Sequence, residues 1–174
     1  MPDRRRLVAM KSRVAIRLAG KDELPLVKRL SVEELPDELN EFERKEAARA
    51  KRVFAGRMDE ILGRPGNEVY VATVDGEHGI AGYVWFGVSE RPFSDMKVGW
   101  IYDLQVVPAH RGEGVGEALL KHALRASRER GHRLTGLMVR ANNKVAYSLY
   151  EKLGFEPEYV VMSRKETGVS ASNS

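Results

Sequence analysis

One stretch of this sequence constrains the fold more than any other, because a glycine-rich loop joins two apolar segments of different period. The loop reads Gln105-Val-Val-Pro-Ala-His-Arg-Gly-Glu-Gly-Val-Gly116. The run before it predicts a strand over Gly99–Val107, and Leu119, Leu120, Ala123 and Leu124 form one apolar face of a helix after it. The order strand, glycine loop, helix restricts the chain to an α/β arrangement.

The start of that helix is a candidate anion site. The first amides of a helix have no intrahelical acceptor and lie at the positive end of the helix dipole. Gly112, Gly114 and Gly116 leave out side chains that would block those amides, so the loop is a candidate diphosphate cradle. Taken alone, the glycines equally fit a turn that only packs a helix against a strand.

Two common phosphate loops do not fit this spacing. A Walker loop ends in Gly-Lys-Ser or Gly-Lys-Thr, whereas Gly116 is followed by Glu117 and Ala118. A dinucleotide loop spaces its glycines one and then two residues apart, and an acidic residue closes its next strand. Here the glycines alternate and the next strand ends at Arg140. The pattern argues against both ATP and NAD.

Periodicity and turn residues predict the remaining elements. Strands are expected at Val14–Leu18, Glu68–Val74, Ile80–Val88, Gly99–Val107, Leu134–Val139 and Tyr159–Ser163. Helices are expected from Asp22 to a break at Pro36, from Asp37 or Glu38 to Gly63, from the loop to Gly131, and from Asn142 or Asn143 to Gly154. The strands of 68–107 should form an antiparallel meander, and the later strand–helix–strand passage needs a parallel neighbour. The predicted fold is a three-layer α/β/α domain with a mixed, mostly antiparallel sheet.

Length and composition predict a single domain over 14–165. The 174 residues also include a basic arm over 1–13 and a polar tail over 166–174, both expected to be loose. The absence of cysteine excludes thiol nucleophiles and zinc–thiolate sites, and four scattered histidines predict no metal site. The net charge of +4 favours anionic ligands. Because no apolar run approaches about 18 residues, we expect a cytoplasmic protein without membrane contact.

A second motif lies one strand after the loop. It reads Asn143-Lys-Val-Ala-Tyr-Ser-Leu-Tyr150-Glu-Lys-Leu-Gly154-Phe155. Together with Arg111-x-x-Gly114-x-Gly116, it resembles the GNAT superfamily of N-acetyltransferases over about residues 99–159. Each motif alone is a weak signal, but the pair at this separation is specific. The resemblance implies the GNAT fold and transfer of an acetyl group from acetyl-CoA to a primary amine.

The resemblance also assigns residues to the donor site. In the family, the strand before the loop splays from its parallel neighbour and pairs with the pantetheine arm, while the loop binds the pyrophosphate through its backbone. Asn143 matches a family asparagine that contacts the cofactor arm. The cofactor-binding residues implied are therefore Leu104, Gln105, Val106, Arg111, Gly112, Glu113, Gly114, Val115, Gly116, Glu117 and Asn143.

Tyr150 matches the family tyrosine that points at the sulfur. Acyl transfer needs a neutral amine, a stabilised oxyanion and protonation of the leaving thiolate. A phenol of ordinary pKa about 10 can protonate a thiolate of pKa about 8.5 with local help. Backbone amides near Val106 would stabilise the oxyanion. Without the motif, the spacing of Tyr150 from Ala146 and Leu153 would favour a core tyrosine, and the motif reverses that preference.

The general base is less defined. Many relatives use a glutamate on the strand after the loop helix, where this chain has Met138. Others use a carboxylate on the strand before the loop, and Asp103 is the candidate there, either as a base or as a structural residue. A proton relayed by water is the alternative.

Other readings stay open at this level. The segment Glu33–Glu41 contains five carboxylates and no basic residue. This composition fits either a site that attracts a cationic acceptor amine or the acidic residues that the helix dipole favours at a helix start. A non-catalytic acyl-CoA-binding regulatory domain is the alternative function. Nothing resembles a nucleic-acid-binding motif, so no nucleic-acid partner is expected. Family members often pair through their sheets, so the resemblance allows a homodimer. The acceptor is a protein N-terminus, a lysine or a small amine.

Overall fold

The computed structural model describes residues 14–164, which form five strands and five helices. The strands are β1 Val14–Leu18, β2 Glu68–Val74, β3 Gly82–Glu90, β4 Lys97–Val106 and β5 Thr135–Leu137. The helices are α1 Leu24–Glu38, α2 Glu41–Lys45, α3 Ala47–Leu62, α4 Val115–Glu129 and α5 Lys144–Lys152. A short 3-10 turn, Pro108–His110, follows β4.

The five strands form one sheet in chain order, β1-β2-β3-β4-β5. The first four pair antiparallel, and α4 crosses over to bring β5 parallel to β4. The predicted meander and parallel step are confirmed. Parallel neighbours cannot be joined by a hairpin, which is why a helix separates β4 from β5.

Helices cover both faces of the sheet and confirm the three-layer α/β/α fold. On one face, α4 places Leu119, Leu120 and Ala123 against Val84 and Phe86 of β3. On the other face, α1 and α3 pack against the alternate residues of the strands. That second core consists of Val27, Met58, Val69, Val71, Tyr83 and Trp85. Because successive side chains of a strand point to opposite faces, β2 and β3 contribute alternate residues to each of the two cores.

Two strands, Val14–Leu18 and Glu68–Val74, lie where the sequence predicts them. The strand predicted over Ile80–Val88 begins two residues later and runs to Glu90. The strand predicted over Leu134–Val139 is shorter, because only Thr135–Leu137 pair with β4. The strand predicted over Tyr159–Ser163 is wrong: residues 155–164 show no regular structure and pair with no strand of the described chain. An apolar, β-branched run alone does not form a strand without a neighbour.

The helices of the N-terminal half also differ from the prediction. The first helix continues through Pro36 to Glu38, so the predicted break at Pro36 is wrong, although proline lacks the amide that would bond to the carbonyl of Val32. Asn40, rather than Asp37 or Glu38, begins the next helix, since its side chain accepts from the amides of Phe42 and Glu43. The single long helix predicted here is two, separated at Glu46. The predicted arm over 1–13 and the tail over 166–174 lie outside the described residues.

Gly99 lets α4 approach β4 closely. A Cβ there would lie 2.2 Å from the Oγ of the fully buried Ser127. Gly99→Ala should therefore lower the free energy of unfolding by about 1–3 kcal/mol through overpacking. Gly56→Ala, in α3 with no atom within 4 Å of the added Cβ, should raise it by about 0.5–1 kcal/mol. Urea denaturation measures both, and equal effects of the two substitutions would contradict this packing.

Candidate active site

A β-bulge shapes the end of β4. Trp85 pairs with Asp103 and Phe86 with Ile101, so Tyr102 is an extra residue in the strand. The bulge places Tyr102 and Asp103 on the same face: Tyr102 packs on Trp85, and Asp103 bonds to Tyr83. Beyond it, Leu104 and Val106 pack on the opposite face, toward α4 and α5. No local sequence pattern predicts this bulge.

The last residues of β4 separate from β5. The parallel ladder contains only three pairs and ends at Ile101 and Leu137, whereas β4 stays paired with β3 as far as Val106. The carbonyl of Val106 accepts a 3.1 Å hydrogen bond from Nε of Arg111. The backbone edge of β4 at Val106 therefore faces away from β3 and has no strand beside it.

The glycine loop follows directly. Gly112 and Gly114 have φ of 82° and 86°, the left-handed region that favours glycine, and nothing lies within 4 Å of where their Cβ atoms would be. Gly114 is the N-cap of α4, so Val115, Gly116 and Glu117 contribute the first three helix amides. Such amides have no acceptor within their own helix. The loop therefore presents donors and open space at the positive end of α4.

Gly116 differs from the other two glycines. The sequence suggested that all three clear a path to the phosphate. A Cβ on Gly116 would instead lie 3.4 Å from Val106 and 3.5 Å from Leu149, inside the contact between α4, β4 and α5. The side-chain position of Gly116 thus faces the protein, where an added Cβ would make ordinary van der Waals contacts, and its amide stays a candidate phosphate donor.

The remaining side chains of the loop have partners of their own. Val115 is buried in the core, and Glu113 lies 3.2 Å from Nδ1 of His110. Glu117 binds Lys121 at 2.8 Å and Lys152 of α5 at 2.6 Å, and the bonds to these lysines lower its pKa to about 2. The loop therefore offers its backbone, while its side chains hold the surrounding elements together.

Helix α5 lies beside the open end of β4. Its N-cap is Asn143, whose side-chain oxygen accepts from the amide of Ala146 at 3.2 Å. Tyr150 is half-buried in the core shared with Leu104 and Val106, and its ring meets Phe155 edge-on at 5.8 Å between centroids. The ion pair of Lys152 with Glu117 links α5 to the start of α4 at the protein surface. Met138 is 82% exposed, just after β5.

Asp103 belongs to a buried polar network beneath α1. Its carboxylate accepts hydrogen bonds from the hydroxyls of Ser31 and, at 2.6 Å, Tyr83. Burial raises the pKa of Asp103, and the two hydroxyl bonds oppose that rise. Burial likewise raises the pKa of Tyr83, with the negative charge of Asp103 as the next cause. Ser31, four residues after Val27 on an apolar helix face, was the available sequence signal for this network.

Gln105 lies on the α1 side of the sheet. With Leu30, Glu34 and Tyr83 it lines a cavity of about 20 Å³, enough for one water molecule. Glu34 also accepts a 3.1 Å hydrogen bond from Nη2 of Arg111. We call this cavity the α1 cavity. It lies on the opposite side of β4 from Leu104 and Tyr150.

In residues 14–164, no group of three or more histidine, aspartate or glutamate side chains is placed to bind a metal ion. None of the helices in this part of the chain has both the length and the apolar character needed to cross a membrane.

Comparison with known proteins agrees with this geometry. A model of the acetyltransferase (GNAT) family matches residues 29–155, which include both motifs. An uncharacterized N-acetyltransferase of Archaeoglobus fulgidus is 35% identical over 140 residues, covering 78% of this chain and 88% of its own. The uncharacterized N-acetyltransferase YycN of Bacillus subtilis is 31% identical over 116 residues, covering 67% and 72%.

Solved structures share the fold. A GCN5-related N-acetyltransferase from Ralstonia eutropha superimposes with a TM-score of 0.69 at 24% identity, over 90% of this chain and all of its own. The aminoglycoside N-acetyltransferase AAC(6')-Iy, solved with CoA, gives a TM-score of 0.64 at 22% identity, over 91% and 99%.

The family match over both motifs defines the chain as an acetyltransferase. The chain belongs to the GNAT family of acetyltransferases. It is thus an N-acetyltransferase, and its acetyl donor is acetyl-CoA.

The buried carboxyl of Asp103 gives a test by pH. Because its pKa is raised above 3.8 in the folded state, the stability it contributes is complete below about pH 4 and is lost as the pH rises through the folded pKa. Asp103→Asn cannot ionise, so relative to the unmodified protein it should gain free energy of unfolding between about pH 4 and neutrality. Denaturation at several pH values measures this.

The control is Asp59→Asn, since the side chain of Asp59 is 64% exposed and pairs only with Lys28 among the described residues. A difference between Asp103→Asn and the unmodified protein that is constant with pH would contradict the buried position of this carboxylate.

Proposed function

We propose that this protein transfers the acetyl group of acetyl-CoA to a primary amine by direct attack of the amine on the thioester. The observation that supports this best is the separation of β4 from β5 after Ile101, directly beside the open amides of Gly112–Glu117. The first feature leaves a backbone edge for an extended arm, and the second supplies donors for a diphosphate.

The donor would bind along both features. The loop amides would hold the pyrophosphate, and the edge of Leu104, Gln105 and Val106 would pair with the pantetheine arm as an added strand. Asn143, which caps α5 through its oxygen, keeps its amide nitrogen available toward the arm. The amide of Val106, pointing off the same edge as its carbonyl, would stabilise the oxyanion of the tetrahedral intermediate.

Tyr150 is the proposed general acid. When the amine has attacked, the C–S bond breaks and the CoA sulfur leaves as a thiolate, which takes the phenolic proton of Tyr150. The position of α5 supports this role, since Tyr150 packs in the core shared by Leu104 and Val106. Leu149 and Leu153 pack against the same core and hold the helix in that position.

The amine must lose its proton before or during attack. At pH 7 a lysine amine of pKa about 10.4 is roughly 0.04% neutral, whereas an α-amine of pKa about 7.7–8.0 is roughly a tenth neutral. Met138 is unable to accept the proton. We propose that Asp103 accepts it through a water in the α1 cavity and the hydroxyl of Tyr83, which lines that cavity and bonds to Asp103. The raised pKa of Asp103 makes it a stronger base.

The acceptor would approach from the α1 side. Of the acidic residues in Glu33–Glu41, Glu34 lines the α1 cavity, whereas Glu33 lies 3.9 Å from Arg29 on the helix surface. Glu34 is therefore a carboxylate of this segment that is placed to meet an acceptor ammonium. A protein N-terminus, a lysine and a small-molecule amine all carry that group. The homodimer and the cytoplasmic location stay predictions.

The left-handed glycines test the donor site. Gly114→Ala forces a Cβ into a φ of 86° at the N-cap and should distort the loop, weakening coenzyme A binding at least tenfold. Gly76→Ala is the matched control, since Gly76 has a φ of 84° in the β2–β3 turn with similar empty surroundings. Both should lose similar stability, and isothermal titration calorimetry with coenzyme A should separate them. Equal coenzyme A affinity in the two variants would argue against this loop as the donor site.

Tyr150 is tested by turnover. Tyr150→Phe removes the acid and should lower kcat by about 10²–10⁴-fold while the affinity for acetyl-CoA is unchanged. Tyr147→Phe, on the same helix, should retain kcat. The assay follows thiol release from acetyl-CoA. If Tyr150→Phe turns over like the unmodified enzyme, Tyr150 is a core tyrosine only.

The proposed function as a whole is tested by acetylation kinetics across peptides with free N-termini, lysine-containing peptides, polyamines and aminoglycosides. Amine-dependent release of CoA for at least one class is expected. Tight acetyl-CoA binding with no turnover on any amine would favour the alternative of a non-catalytic acyl-CoA-binding regulatory domain.

A further inference from the structure

The side chain of Arg111 lies across the boundary between the donor and acceptor sides of β4. Its Nε donates to the carbonyl of Val106 at 3.1 Å, and its Nη2 donates to Oε1 of Glu34 in α1 at 3.1 Å. One guanidinium thus joins the first residue of the glycine loop, the open edge of β4 and the wall of the α1 cavity. The ion pair is half-exposed, with side-chain exposures of 56% for Arg111 and 41% for Glu34.

The bond to Val106 uses a group that the donor needs. Val106 lies at the end of β4, where β5 no longer pairs, and its backbone edge is the one we propose for the pantetheine arm. An arm that pairs along this edge competes with Nε of Arg111 for the Val106 carbonyl. Donor binding and the observed position of Arg111 are therefore in direct competition.

The bond to Glu34 uses a group that the acceptor needs. Glu34 lines the α1 cavity together with Tyr83, whose hydroxyl continues to Asp103. A guanidinium and an alkylammonium both carry one positive charge and donate N–H groups to a carboxylate. Arg111 thus neutralises Glu34 as an acceptor amine would.

We propose that the Arg111–Glu34 ion pair acts as a latch. It keeps Glu34, the carboxylate proposed to meet the acceptor ammonium, occupied until the donor binds. This inference rests on the proposed function. When coenzyme A occupies the edge of β4, Arg111 loses its Val106 acceptor and turns to the diphosphate at its own loop. Glu34 then becomes available to the acceptor ammonium.

The balance of interactions favours this direction. A half-exposed ion pair contributes little, because solvent and salt screen it. A guanidinium held by two phosphate groups makes charge-assisted, often bidentate hydrogen bonds, which are stronger. The diphosphate therefore outcompetes a single surface carboxylate, while in the absence of donor the carboxylate keeps the guanidinium.

A latch of this kind has a thermodynamic consequence. Since coupling between two sites is reciprocal, any change that releases Arg111 from Glu34 must also raise the affinity for the donor. Removing the charge of Glu34 should then tighten coenzyme A binding even when no acceptor is present. A merely structural ion pair between α1 and the loop makes no such prediction.

The experiment is a double-mutant cycle measured by isothermal titration calorimetry, with coenzyme A as the only ligand. The proteins are the unmodified enzyme, Glu34→Gln, Arg111→Gln, the double variant, and Glu33→Gln as the charge control. Glu33 precedes Glu34 on α1 and faces Arg29 instead. Thermal unfolding confirms that each variant is folded.

The latch predicts that Glu34→Gln binds coenzyme A about fivefold more tightly than the unmodified enzyme, the lower end of typical site-to-site coupling. Glu33→Gln should show a clearly smaller change, and Glu34→Gln should have no further effect in the Arg111→Gln background. Unchanged or weaker binding by Glu34→Gln overturns the latch. So does an equal gain in the Arg111→Gln background, since that gain would come from charge alone. No binding by the unmodified enzyme would instead overturn the proposed donor site.

Discussion

The site depends on where the hydrogen-bond ladder between β4 and β5 stops. Every backbone amide and carbonyl in a sheet needs a partner, and an unpaired strand edge is a template for one. Here β4 is paired on both sides as far as Ile101, and after the bulge at Tyr102 it is paired only with β3. Arg111 supplies one partner at Val106. The other backbone amides and carbonyls along this edge are available to hydrogen-bond an extended ligand arm.

Close packing keeps the opening in place. Gly99 allows α4 to rest on β4, and the hydroxyl of Ser127 accepts a 2.7 Å bond from Thr135 at the start of β5. The bulge also directs Asp103 under α1, where Ser31 and Tyr83 hold it. The opening between β4 and β5 is therefore bounded by close packing at Gly99 and, on the face under α1, by the hydrogen-bonded Asp103.

Much of this architecture was predictable from the sequence, because local signals agree with the tertiary structure. Glu68–Val74 lies between turn residues, and both of its faces are buried, so a short apolar run with clear boundaries marks the strand. The glycine loop was recognisable because its glycines recur between a predicted strand and a predicted helix, and in the structure Gly112 and Gly114 adopt a positive φ. Where signals are local but the outcome depends on neighbours, prediction fails: Tyr159–Ser163 is an apolar, β-branched run, yet it has no strand beside it among the described residues.

The side-chain contacts within the site could not be predicted in the same way. The bulge at Tyr102 is set by the register against Trp85, which no local pattern contains. The bond between Arg111 and Glu34 joins residues 77 positions apart. Gly116 is an opposite case. The motif identified this residue but did not show that its side-chain position faces Leu149.

The central claim is that one extended thioester ligand covers both the β4 edge and the loop amides. Amide hydrogen exchange with and without coenzyme A tests it residue by residue. We expect slower exchange at Val106 and across Gly112–Glu117 when coenzyme A is present, with unchanged exchange in the β2–β3 turn at Gly76 and Glu77. Equal exchange in the loop with and without coenzyme A, or slower exchange only outside these two segments, would contradict the account.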